Sequence, residues 1–173
     1  GKANIENNLA ALGIQLSDQD LKIVTQRIIE LGDRKEVVTQ NDLPYIISDV
    51  LDSNAIEERV QVLNYVLTHS KDLRPSVTLK ISIDGDVFEE HAQGDGQYDA
   101  FMKALGIIFK KHGKILPVLK DYAVRIPPGG DSDALCETII TWSDAGKELI
   151  TRGLDSDQTV SAIKATQKML NLI

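Results

Sequence analysis

The order strand, strand, strand, helix occurs twice in this chain, over residues 58–112 and again over 116–173. In the first copy "RVQVLNYVLTHS", "SVTLKISID" and "VFEEHAQG" are rich in β-branched residues, and Val77, Leu79, Ile81 and Ile83 alternate onto one face. Asp84-Gly85 between the second and third runs is a hairpin signal, because glycine supplies the positive φ of a tight turn. A helix is predicted over about 97–112, with Phe101, Leu105, Ile108 and Phe109 on one face and Gly113 as its stop. The second copy reads "LPVLKDYAVRI", "ALCETIITWS", a turn at Ala145-Gly146, "KELITRGL", and a helix with Ile163, Thr166, Leu170 and Ile173 inward. Residue echoes support the repeat: "LNYVL" with "LKDYAV", "DGDVFEEHAQG" with "DAGKELITRG", and "GDGQYDAFMKAL" with "GLDSDQTVSAIKAT".

Such a repeat limits the fold to an α+β arrangement of two pseudo-symmetric βββα units. Each three-stranded sheet has one face covered by its helix, so the remaining apolar surface must be buried somewhere. The expected solution packs the helices between the sheets or against the sheets of a partner, which makes a homodimer the expected assembly. Residues 1–55 read differently, as a small helical attachment before the repeat-bearing unit over 56–173. There Leu21, Val24, Ile28 and Leu31 share a helix face, Ser17 with Asp20 marks its start and Gly32 its stop. A second short helix carries Leu43, Ile46, Ile47 and Val50, with Thr39 or Asn41 as cap and Pro44 in the first turn.

Charge and cysteine content exclude several classes. A net charge of −7 and a pI near 4.9, with no clustered cationic face, argue against a nucleic-acid or anionic-membrane partner. One cysteine excludes an internal disulfide and points to a reducing compartment. The apolar runs fall short of the roughly 18 residues that span a bilayer, and no signal-peptide pattern is present, so the expected location is cytoplasmic. The chain opens on "GKAN" without methionine and is expected to be a piece of something longer.

Few residues suggest chemistry. His69, His91 and His112 lack ligand spacing and read as structural. Cys136 reads as a core thiol, Trp142 as packing, and "PPGGDSD" at 127–133 as a strand-to-strand loop. The helix entries "GDGQYDA" and "GLDSDQT" differ. A helix N-terminus welcomes an anion, yet these entries carry aspartates in place of the lysine of a phosphate loop. Asp95 and Asp155 are expected to cap their helices, which leaves Asp99 surplus to capping. A zwitterion suits that mixture. An α-amino acid offers its carboxylate to helix-end N–H groups and its ammonium to Asp99, with Tyr98, Leu119, Tyr122 and Ile126 as apolar neighbours.

The ordered set "GDGQYDA", "LKDYAV", "SDALCETI" and "TRGLDSDQTVSAIKA" resembles the C-terminal regulatory domain of 2-isopropylmalate synthase and of its relative citramalate synthase. The segment "ENNLAALGIQLSDQDLKIVTQRIIELGDRKEVVTQNDLPYI" is similar to that family's linker subdomain. The resemblance implies a parent acyltransferase that condenses acetyl-CoA with a 2-oxo acid in leucine or isoleucine biosynthesis. It implies a divalent metal and catalytic bases on a TIM barrel of which this chain has no trace, so the chain itself is expected to be inactive and to hold no cofactor. The implied role is feedback inhibition by leucine or isoleucine bound at a homodimer interface. Tyr98, Asp99, Leu119, Tyr122, Ile126, Ser132, Cys136, Ser156 and Gln158 are the effector-lining positions it implies. Gln97 stands where many members carry proline. A citramalate synthase domain sensing isoleucine, and a dimerisation module that senses nothing, are the alternatives.

Overall fold

The computed structural model describes residues 1–51, 56–126 and 135–173. They form two compact units, Gly1–Glu57 and Glu58–Ile173. The first contains α1 (Lys2–Ala11), α2 (Asp18–Asp33), a 3₁₀ turn (Gln40–Asp42) and α3 (Leu43–Leu51). Leu9, Leu21, Val24, Leu31, Leu43, Ile46 and Ile47 make its core. Ser17 caps α2 by accepting the Asp20 N–H at 3.1 Å. Two expectations need correcting. The unit has a third helix, α1, and Gly32 lies inside α2, which runs on to Asp33. The stop is made by Lys35 at φ 61°, with its N–H on the Gly32 carbonyl and the Glu36 N–H on that of Leu31. Leu31 is only 1% exposed, and ending the helix beyond it keeps that side chain on the buried stripe. Thr39, not Asn41, starts the next turn, donating its N–H and its hydroxyl to the Asp42 carboxylate at 2.8 and 3.2 Å.

The second unit follows the predicted order: β1 (Val60–Ser70), β2 (Leu73–Ile83), β3 (Asp86–Gln93), α4 (Gln97–Lys111), β4 (Val118–Arg125), β5 (Cys136–Asp144), β6 (Lys147–Asp155) and α5 (Gln158–Leu170). Two antiparallel sheets result, ordered β1-β2-β3 and β4-β5-β6. Both second hairpins turn through two residues at positive φ, Asp84-Gly85 at 51° and 87° and Ala145-Gly146 at 50° and 84°. The repeat extends to irregularities: β1 bulges between Val62 and Asn64, and β4 at the matching place between Leu119 and Asp121. Gly113 ends α4 at φ 75°, as its spacing predicts.

Burial ties the two repeats together. Val77, Leu79, Ile81 and Ile83 of β2, Phe101, Leu105, Ile108 and Phe109 of α4, Ile140 and Trp142 of β5, and Ile163, Met169 and Leu170 of α5 belong to one continuous core. Trp142 is fully buried and donates its indole N–H to Thr151 Oγ1 at 2.9 Å. The start of β1 is covered by α5: Gln167 Oε1 accepts the Val62 N–H at 2.8 Å, and Asn171 pairs with both the N–H and the carbonyl of Val60.

Helix and third strand approach closely, and two glycines make room for it. A Cβ on Gly153 would stand 1.8 Å from the Ser161 carbonyl oxygen, and one on Gly94 would stand 2.3 Å from the Ala100 nitrogen. Neither has positive φ, so their role is space and not the turn. Gly153→Ala is expected to lower unfolding free energy by about 2–3 kcal/mol through overpacking, and Gly96→Ala, which meets nothing, by less than about 1 kcal/mol. Urea denaturation of the two variants measures the difference.

Candidate functional site

The two helix entries look alike in sequence and differ in structure. In α5 the residue before the helix is Asp157, whose carboxylate accepts the Val160 N–H at 3.0 Å. Counted from the hairpin glycines Gly85 and Gly146, the matching residue before α4 is Gly96. Glycine has no side chain to cap with, and no side-chain bond closes that end. The expectation that Asp95 and Asp155 cap their helices is therefore wrong, because both stand too early in the chain. Asp95 pairs with Arg74 at 3.0 Å, and Asp155 accepts the Asp157 N–H and the Lys164 ammonium, each at 2.9 Å.

Asp99, the third residue of α4, reaches back to accept the Asp95 N–H at 2.8 Å and pairs with Lys103 at 3.2 Å. That backbone N–H first, and Lys103 second, hold its carboxyl below the usual carboxylate range. Its side chain is still 43% exposed, so oxygen lone pairs remain open beside an uncapped helix end. Where Asp99 stands, the second repeat has Val160, so only the first entry combines free N–H groups with a carboxylate in the first turn.

Tyr98 points the other way. Its hydroxyl lies 2.7 Å from Thr166 Oγ1 on α5, and its ring is stacked on Phe101 and tilted against Tyr122, with centroids 6.3 and 5.7 Å away. Burial pushes its hydroxyl pKa up, so the group is neutral. Beside it Gln97 Oε1 accepts the Thr159 hydroxyl at 3.3 Å, which brings the two helix entries together. As the first helical residue, Gln97 occupies a position that proline also tolerates.

The other predicted positions fall into groups. Leu119 and Tyr122 oppose Trp142 and Ile140 in the sheet, which sets them on the core side of β4. Leu119 is 38% exposed, and Ile126, just past the strand, 64%. Cys136 is half-buried at the start of β5, opposite Asp155, which corrects its reading as a core thiol. Ser156 and Gln158 are exposed at the α5 entry. Ser132 and the 127–133 segment lie outside the described residues. Thr159 and Thr166 were not anticipated as partners of the first entry. Thr166 did carry a signal, a hydroxyl on an apolar stripe, which requires a partner once buried.

Elsewhere the chemistry is sparse. Among the described residues no three His, Cys, Asp or Glu side chains converge on a metal position, and no helix is long and apolar enough to cross a membrane. His91 bonds Thr78 at 2.8 Å, and His112 sits against Phe88. The helical unit has an open groove of about 630 Å³ lined by Leu9, Ile14, Leu16 and Leu21 with Glu6 and Asp18. Its apolar walls belong to the helix packing.

A carboxyl whose folded pKa is depressed contributes stability that is complete above its unfolded pKa of about 3.9 and is lost as pH falls through the folded value. Asp99→Asn is expected to flatten the acid limb of stability against pH below about pH 4, by a small amount because the group is exposed. Denaturation midpoints from pH 2 to 6 measure it.

Residues 37–173 match the model of the LeuA allosteric (dimerisation) domain. The chain is similar, over 99% of its length, to a 2-isopropylmalate synthase of Methylorubrum populi at 30% identity, and over its full length to one of Methanocaldococcus jannaschii at 32%. A protein of Archaeoglobus fulgidus whose name proposes an (R)-citramalate synthase is 28% identical over the full chain. These alignments cover 32%, 33% and 35% of the relatives, so the chain spans about a third of the length of the curated relatives it matches. Because the family match takes in both βββα repeats, the chain belongs to the LeuA allosteric (dimerisation) domain family.

Proposed function

We propose that this chain is the regulatory part of a 2-isopropylmalate synthase-type acyltransferase and that it binds leucine or isoleucine as feedback inhibitor. The parent condenses acetyl-CoA with a 2-oxo acid, using a divalent metal and bases outside this chain, and this chain alone is inactive. The observation that carries the reading is the broken symmetry of the helix entries. Gly96 leaves the first-turn N–H groups of α4 without a side-chain cap, and Asp99 adds a half-exposed carboxylate one turn in. An α-amino acid matches both, its carboxylate on the N–H groups and its ammonium on Asp99, while its side chain lies against Tyr98, Leu119, Tyr122 and Ile126. Cys136, Ser156 and Gln158 complete the pocket in this proposal, with a second copy of the chain in the homodimer.

Inhibition is then linkage. The amino acid binds the inhibited state more tightly than the active one, with a coupling of about 1–3 kcal/mol. A citramalate synthase sensing isoleucine differs only in the preferred side chain. The name of the Archaeoglobus fulgidus relative is what favours keeping it. Titration calorimetry narrows the readings: heat with leucine excludes the second, and heat with isoleucine alone favours it. Asp99→Ala is expected to weaken either by roughly 10- to 100-fold. No heat with either amino acid, in a dimer that persists, leaves only a dimerisation module.

A further inference from the structure

The first turn of α4 faces two ways. Asp99 faces outward, while Tyr98 crosses to the helix of the other repeat and meets Thr166, which is fully buried. A threonine hydroxyl has one proton, and that of Thr166 goes to the Ala162 carbonyl at 2.7 Å. The 2.7 Å contact with Tyr98 therefore has the tyrosine as donor. With its proton committed, Tyr98 can offer a ligand only an acceptor lone pair and an aromatic face, and it cannot donate to a carboxylate without giving up Thr166. Alongside, Thr159 donates to Gln97 at 3.3 Å, so successive residues of the turn are held by the same helix.

We propose that Tyr98 and Thr166 are a positioning pair: their hydrogen bond across the repeats fixes the first turn of α4, and Tyr98 serves the amino-acid site through Thr166 and not by donating to the ligand. The affinity part of this inference rests on the ligand reading above. It assigns a role to Thr166, buried in the second repeat, in a site whose polar contacts lie in the first.

The test is a double-variant cycle with leucine and isoleucine as the probes, read by calorimetry. Tyr98→Phe and Thr166→Val are each expected to weaken binding roughly three- to tenfold, and the double variant no further than the weaker single. Thr166→Ser, which keeps the hydroxyl, is expected to restore wild-type affinity. Normal affinity in Thr166→Val with a loss in Tyr98→Phe overturns the pair in favour of direct contact. Multiplying losses in the double variant overturn it as well, as does unchanged affinity in both singles. Should the wild type take up neither amino acid, the ligand reading fails by itself, and hydrogen exchange decides the pair. Equal acceleration at the Ala100 amide, the first to bond inside the helix, in each single variant, without increase in the double, supports it; unchanged exchange overturns it.

Discussion

A three-stranded sheet with one apolar face cannot stand alone in water, and everything in the larger unit follows from how that face is covered. Each sheet receives the helix that follows it, and the two helix-backed sheets then share one core through Ile140, Trp142, Phe101 and Leu170. The contact is tight enough to exclude a Cβ at Gly94 and at Gly153, where helix backbone takes the place a side chain would fill. A shift at either helix is consequently felt by the strand beneath it. That is the mechanical property a regulatory unit requires.

Duplication supplies the scaffold, and departures from duplication mark the candidate site. The hairpins and the bulges in β1 and β4 match between repeats. The helix entries do not. Asp157 closes α5 with its own carboxylate, whereas Gly96 leaves α4 open and Asp99 replaces an apolar Val160. In physical terms the second entry carries its own anion and the first has room for one. Tyr98 and Gln97 then join the open entry to the second helix, so the two halves are bound together at the place where they differ most.

Strands and hairpins were legible because period-two alternation and two-residue turns are local signals; β2 shows both. α1 was not, since Ile5, Leu9 and Leu12 form a sparse stripe in an asparagine-rich segment, and their place in the core of the helical unit is not a local signal. Both capping aspartates were misplaced for a related reason. Asp95 and Asp155 have the right residue type, but each stands ahead of the residue that precedes its helix, Gly96 and Asp157, and sequence does not mark that register. The part that Gly94 plays was not legible, because sequence does not reveal how near a helix backbone will come. The Tyr98–Thr166 bond spans 68 residues and became visible only in three dimensions, although a threonine on an apolar stripe already asked for a partner. Family membership was legible from the ordered motifs, each of them short, whose combination covers both repeats.

A crystal structure of the chain grown with saturating leucine or isoleucine tests the account most directly. The account predicts density for the amino acid at the start of α4, its carboxylate on the N–H groups of residues 97–99 and its ammonium on Asp99, with Thr166 still bonded to Tyr98. An amino acid bound away from that entry, or an α4 entry left empty at saturation, would contradict it.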